Sequence, residues 1–132
     1  MGTDSISSEL VASIRAIRVG ERVPIGGDGL SADVYVTSAG TLILVDSSLS
    51  GRNQESRAIA YGNALWDWSI DTVDKIASQH FYRLIGQGLL VIDAMARAGY
   101  LTYADKARFE NEVSARLSSG KFVLLADITE AC

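Results

Sequence analysis

The sequence predicts a single α+β domain: a small, mostly antiparallel sheet of three to four strands covered by about five helices. Three observations carry that expectation. Two β-branched runs, Ala32 to Thr37 and Thr41 to Val45, flank the tight Ser38-Ala39-Gly40 connection, which is the pattern of a hairpin. From about Asn53 to residue 119 the apolar residues recur at helical spacing. A closing apolar run, Phe122 to Ala126, then returns to strand character. The order of helix, strands, several helices and one strand places helices over a small sheet. At 132 residues, 48% of them hydrophobic, the chain has the size and composition of one packed domain spanning 1–132.

Each element has a local reason. Ser7 or Ser8 can cap a first helix with Leu10, Ile14 and Ile17 on one face and Glu9, Arg15 and Arg18 elsewhere, stopped by Gly20. Val23 to Ile25 contains Pro24, which confines it to an edge strand or a lead-in. Gly26-Gly27-Asp28-Gly29 reads as a turn, and Asp46-Ser47-Ser48 ends the second hairpin strand. A helix over roughly Gln54 to Trp68 aligns Ala58, Tyr61, Leu65 and Trp68, with Ile59 and Trp66 beside them. A second, capped by Asp71, carries Val73, Ile76, Ala77, Phe81 and Leu84, and Gly86 and Gly88 break or kink it. Leu89 to Ala98 is apolar nearly all round, as in a buried helix, and Gly99 ends it behind Arg97. Thr102 with Asp105 outlines a capping box for a last helix whose core face is Ala107 or Arg108, Phe109, Val113 and Leu117, closing at Gly120. Phe122 to Ala126 suits a strand covered on both faces.

Reactive chemistry is scarce. One histidine, His80, and one cysteine, Cys132, serve the whole chain, while most nucleophilic, metal-assisted and redox mechanisms combine those residue types. His80 stands toward the apolar side of its helix near Ala77 and Leu84, the setting of a core histidine. Gly26 to Gly29 lacks the Lys-Ser/Thr of a phosphate loop, and Gly86-Gln87-Gly88 lacks the third glycine of a dinucleotide fingerprint. No catalytic residue, metal or cofactor is expected from this inventory, and its balance leans against an enzyme.

Charge points to partners. Twelve basic residues face sixteen acidic ones, a net charge of −4, with no basic stripe to meet nucleic acid. The one local basic group, Arg15, Arg18 and Arg22, reads as a solvated helix face interrupted by Glu21. An acidic surface favours a basic protein partner. Trp66-Asp67-Trp68, followed by Asp71 and Asp74, combines large aromatics with carboxylates. An unbroken helix would align Asp67, Asp71 and Asp74 at i, i+4 and i+7. These five residues form the candidate partner-binding site. The matching functional expectation is a non-enzymatic protein-binding module, in its concrete form an acidic inhibitor or immunity-type protein masking a basic toxin or nuclease.

Two other readings compete. Asp46 and Asp127 each follow a strand; on parallel neighbours they would meet and could hold Mg²⁺ or share acid and base duties in a small enzyme or ligand-binding domain. Surplus apolar surface could instead close a homodimer or a larger homo-oligomeric structural protein. The lone cysteine, the lack of a charged-then-apolar leader and the brevity of apolar runs such as Leu89 to Ile92 point to the cytoplasm and away from a membrane.

Overall fold

The computed structural model describes residues 14–26 and 29–126. Four strands form one sheet in the order β1 (Ala16–Pro24), β2 (Ser31–Thr37), β3 (Leu42–Val45) and β4 (Phe122–Leu125). Four α-helices lie between β3 and β4: α1 (Gln54–Leu65), α2 (Ile70–Ile85), α3 (Val91–Arg97) and α4 (Lys106–Ser118), the last preceded by a 3₁₀ turn at Tyr103–Asp105. The α+β class stands, but the sheet is mixed. β1–β2 and β2–β3 are antiparallel, whereas β4 joins β3 in parallel, with Leu42 opposite Phe122 and Val45 opposite Leu125. The long helical excursion after β3 permits this, since a parallel partner needs a connection much longer than a hairpin.

The hairpin forms as its sequence implies. Thr37 N donates to Thr41 O at 3.0 Å and Gly40 N to Thr37 O at 2.9 Å. Gly40 takes a left-handed φ of +91°, and a side chain there would meet Glu112 Cβ at 2.9 Å and Val113 N at 3.2 Å. Turn conformation and the close approach of α4 therefore both require glycine.

The expected first helix is corrected where it can be seen. Ser7, Ser8, Glu9 and Leu10 lie outside the described residues, but Ile17 and Arg18 belong to β1, and Gly20 sits inside that strand instead of stopping a helix. Backbone pairing with β2 overrides a pattern that also fits helical spacing. The pairing is irregular: register shifts fall between Arg18 and Gly20 and between Gly20 and Val23. In the second bulge Arg22 adopts φ +50°, and its N–H donates to Asp33 Oδ1 at 2.9 Å. Gly20 lets α2 close onto the bulged strand, because a Cβ there would collide with Val23 Cγ2 and lie 2.8 Å from Ile76 Cγ2. The edge role expected for Val23 to Ile25 is met in part, as β1 is an outer strand of the four and ends at Pro24.

The core joins one sheet face to the helices. Val34, Val36, Leu42 and Leu44 alternate inward and cluster with Tyr61, Leu65, Val73, Ala77, Met95, Phe109, Val113 and Leu117. Several boundaries move. α1 ends at Leu65, and the extended backbone of Ser69, whose N–H reaches Thr72 Oγ1 at 3.4 Å, starts α2. Ser69 is thus the cap and Asp71 a first-turn acid, well placed for the helix dipole. Gly86 stops α2 outright with φ +73° and a bond from its N–H to Tyr82 O. α3 is shorter than the Leu89 to Ala98 span but buries Val91, Ile92, Ala94 and Met95 as expected. The Thr102–Asp105 box closes, with Asp105 Oδ2 accepting from Thr102 N and Oγ1. Ala107 and Arg108 face solvent, so the α4 core face is Phe109, Val113 and Leu117 alone. β4 is not covered on both faces: it is an outer strand, half-buried, with Val123 exposed.

Gly40 and Gly120 offer a controlled comparison. Gly120 has φ +71° with open space where a Cβ would go. Gly120→Ala should cost roughly 1 kcal/mol from backbone conformation alone. Gly40→Ala adds displacement of α4 and should cost about 3 kcal/mol, read as the larger fall in urea midpoint.

Candidate interaction surface and the Asp46 centre

The break between α1 and α2 reshapes the aromatic–carboxylate segment. Trp66 and Asp67 lie in the turn, with Trp68 N bonded to Leu65 O at 2.9 Å. The tryptophans part: Trp66 is 66% exposed, whereas Trp68 packs half-buried against the core. Because the helix is interrupted, Asp67 does not share a continuous helical face with Asp71 and Asp74. Asp67 and Asp71 are exposed. Asp74 is half-buried and turned to structural work, its Oδ1 accepting from Val91 N at 2.9 Å at the start of α3. Burial pushes the Asp74 carboxyl above its ordinary value, against that hydrogen bond, and nearby Glu110 and Asp71 push the same way. Glu110 thus extends the acidic edge from α4, paired to Lys106 at 3.7 Å. No spacing rule would have found it, since α4 meets α2 only in the folded chain. Ile70 N donates to Ser114 Oγ at 3.0 Å across the same junction.

Asp46, at the end of β3, is the most elaborated polar group. Its side chain is 4% exposed. Oδ1 accepts from Ser48 N at 2.9 Å and Ser48 Oγ at 2.7 Å. Oδ2 accepts from Arg57 Nη1 and Tyr61 Oη, both at 2.8 Å. Tyr61 Oη also stands 3.1 Å from Ser31 O. The β3–β4 geometry is the parallel pairing on which an Asp46–Asp127 dyad depends; Asp127 itself lies outside the described residues. The Arg57 guanidinium already pairs with Asp46 Oδ2. Arg57 and Tyr61, four apart on α1, are the partners that sequence reasoning missed. Their i, i+4 spacing on the face carrying Leu65 was the available signal.

Burial raises the Asp46 carboxyl, but its hydrogen bonds to Ser48 and Tyr61 and the Arg57 charge outweigh it, leaving the group below 3.8. Burial and the same carboxylate push the Tyr61 hydroxyl upward, so it remains a donor. His80 is buried, as expected, with its ring edge-on to Phe81 at 5.1 Å. Burial, with Arg18 and Arg83 nearby, holds it below the ordinary imidazole value. Among the described residues no three His, Cys, Asp or Glu side chains gather to hold a metal, and no helix is long and apolar enough to cross a membrane.

No protein-family model matches this chain, and neither the curated proteins nor the solved structures include one similar to it. The functional reading therefore rests on the residues themselves.

The Asp46 centre has a defined acid limb. A carboxyl depressed in the folded state stabilises it above the unfolded value, and that contribution is lost as pH falls through the folded value. Native stability should fall on acidification below about pH 4, and Asp46→Asn should lose that part of the fall. At neutral pH Asp46→Ala should cost about 3 kcal/mol, because Arg57 and Tyr61 lose a buried acceptor. Urea titrations of both variants across pH check the sign and the size.

Proposed function

We propose that this chain is a non-enzymatic protein-binding module that uses the α1–α2 turn to hold a basic protein. The observation that carries the reading is Trp66, a large aromatic left exposed in the α1–α2 turn, followed by the exposed Asp67 and, at the start of α2, the exposed Asp71. Tryptophan anchors dominate many interfaces because one rigid ring removes much apolar area from water at small entropic cost. Flanking carboxylates add steering and register toward a cationic partner. Trp68 and Asp74 support the surface from behind, one packed on the core and one holding the α3 start. The specific form of the proposal is an acidic inhibitor or immunity-type protein, acting in the cytoplasm, that masks a basic toxin or nuclease. Net charge of −4 and the scarcity of His and Cys favour that form.

The Mg²⁺-dependent alternative draws less support from Asp46, whose two oxygens accept four hydrogen bonds, one from a guanidinium. Added Mg²⁺ should leave the melting temperature unchanged; a rise abolished by Asp46→Asn would favour that alternative instead.

The test of the main reading is capture of basic proteins by the immobilised chain at low and high salt. Trp66→Ala should weaken a captured partner by at least about thirtyfold, the effect of an anchor worth roughly 2 kcal/mol. Asp67→Lys with Asp71→Lys should abolish low-salt capture, while the melting temperature of both variants stays near that of the parent. Capture indifferent to all three substitutions, or turnover of a small substrate by the purified chain alone, refutes the proposal.

A further inference from the structure

The opposite end of α2 carries a second surface of contrary charge. Tyr82, Leu84 and Ile85 are exposed there, Leu84 at 65%, and Leu90 follows in the next loop. Soluble domains seldom cluster large apolar side chains in the open without a contact to make. Phe81, Leu84 and Ile85 stand at i, i+3 and i+4, the stripe with which one helix packs on another. Together with Leu89 they line a groove of about 390 Å³, with Arg18 of β1 on one wall and Arg97 of α3 on the other. Leu84 also lines an adjoining cleft of about 310 Å³, shared with Glu21, Arg22, His80 and Arg83. Arg18 and Arg97 therefore border the apolar groove, while Arg22 and Arg83, with Glu21, line the cleft that meets it at Leu84. None of the four arginines has an ion pair with a described residue, although Arg97 Nη2 donates to Gln87 Oε1 at 3.2 Å.

We infer that this groove docks an acidic amphipathic helix of a partner protein, with apolar residues on the Phe81–Leu84–Ile85 stripe and carboxylates reaching Arg18 and Arg97. Charge decides the occupant. A second copy docked face to face by two-fold symmetry would set Arg18, Arg83 and Arg97 against their own kind. A basic partner meets the same repulsion. An acidic helix fills the groove by helix-in-groove packing and neutralises the rim at once. Bulging of β1 contributes, because Arg18 precedes the first register shift, Arg22 lies within the second, and the two line separate clefts beside α2. This surface is independent of the Trp66 edge and stands or falls without it.

Two fluorescent peptides test the inference against the full chain. Both are helical and built of leucine and alanine at i, i+3, i+4 and i+7, one with glutamate at the remaining positions and the other with lysine. The glutamate peptide should bind, weaken with salt, and lose at least about tenfold in affinity with Arg18→Glu and Arg97→Glu combined. Leu84→Asp should abolish its binding, and Trp66→Ala should leave it unchanged. Arg18→Gln with Arg97→Gln keeps polar side chains at both positions and should give a smaller loss in the same direction. No binding of the glutamate peptide, equal binding of the lysine peptide, or affinity untouched by charge reversal overturns the inference. So does a dimer in sedimentation that Leu84→Asp converts to monomer, since a second copy would then cover the groove.

Discussion

The carboxylate of Asp46 is the constraint on which the rest of this architecture turns. It lies where β3 ends, and its four hydrogen bonds come from the adjoining turn and from one face of α1. Its own N–H donates to Leu125 O, extending the parallel ladder by one step into β4. Tyr61, held by Asp46, touches Ser31 at the start of β2. One buried charge thus ties the exit of β3 to α1, while the backbone of the same residue extends the ladder to β4. An unpaired carboxylate at this depth would cost several kcal/mol, so the arrangement is tolerable only with all four donors in place. That interdependence gives the group specificity beyond its net contribution to stability.

Fixing α1 also fixes the start and path of α2. The end of α1 at Leu65 sets the Trp66–Asp67 turn, and the turn delivers Ser69 as the cap of α2. α2 then runs across β1 at Gly20 and ends at Gly86. Between Asp71 and Ile85 it covers about 20 Å at 1.5 Å per residue. Its N-terminal end gathers Asp71, Asp74 and Glu110, and its C-terminal end carries the apolar stripe beside Arg18, Arg22, Arg83 and Arg97, with Glu21 among them. Acids at the start and bases at the end also suit the helix dipole, so local stability and surface charge agree in direction. The cost falls at Asp74, whose burial among like charges is offset by the Val91 N–H it holds.

Much of this was legible in the residues because the deciding forces are local. Ser38-Ala39-Gly40 marks the hairpin, Gly86 and Gly99 mark helix ends, and Thr102 with Asp105 marks a start. Each is a short-range matter of backbone conformation or a side chain reaching its own main chain. β1 resists such reading because Ile14 and Ile17 satisfy helical spacing as well as strand composition, and only pairing with β2 decides between them. The parallel seat of β4 and the Arg57–Tyr61 partnership with Asp46 involve separations that no window of sequence contains. For the Trp66–Asp74 segment, residue types were readable but exposure was not. Trp66 and Trp68 are chemically alike, and the termination of α1 alone sends one outward and one toward the core.

The arginines make the same point about charge. A net charge of −4 describes the chain at distances well beyond the Debye length, about 8 Å in physiological salt. A partner in contact instead meets the few groups within that range. At the α1–α2 turn those are Trp66 with carboxylates; at the far end of α2 they are leucine and isoleucine with Arg18 and Arg97 in one groove and Arg22, Arg83 and Glu21 in the next. Arg15, Arg18 and Arg22 resemble a solvated helix face because their i, i+3 and i+7 spacing would align them on one side of a helix. On a bulged outer strand Arg18 and Arg22 instead border clefts at the C-terminal end of α2. Backbone irregularity in β1, more than composition, therefore creates the second surface.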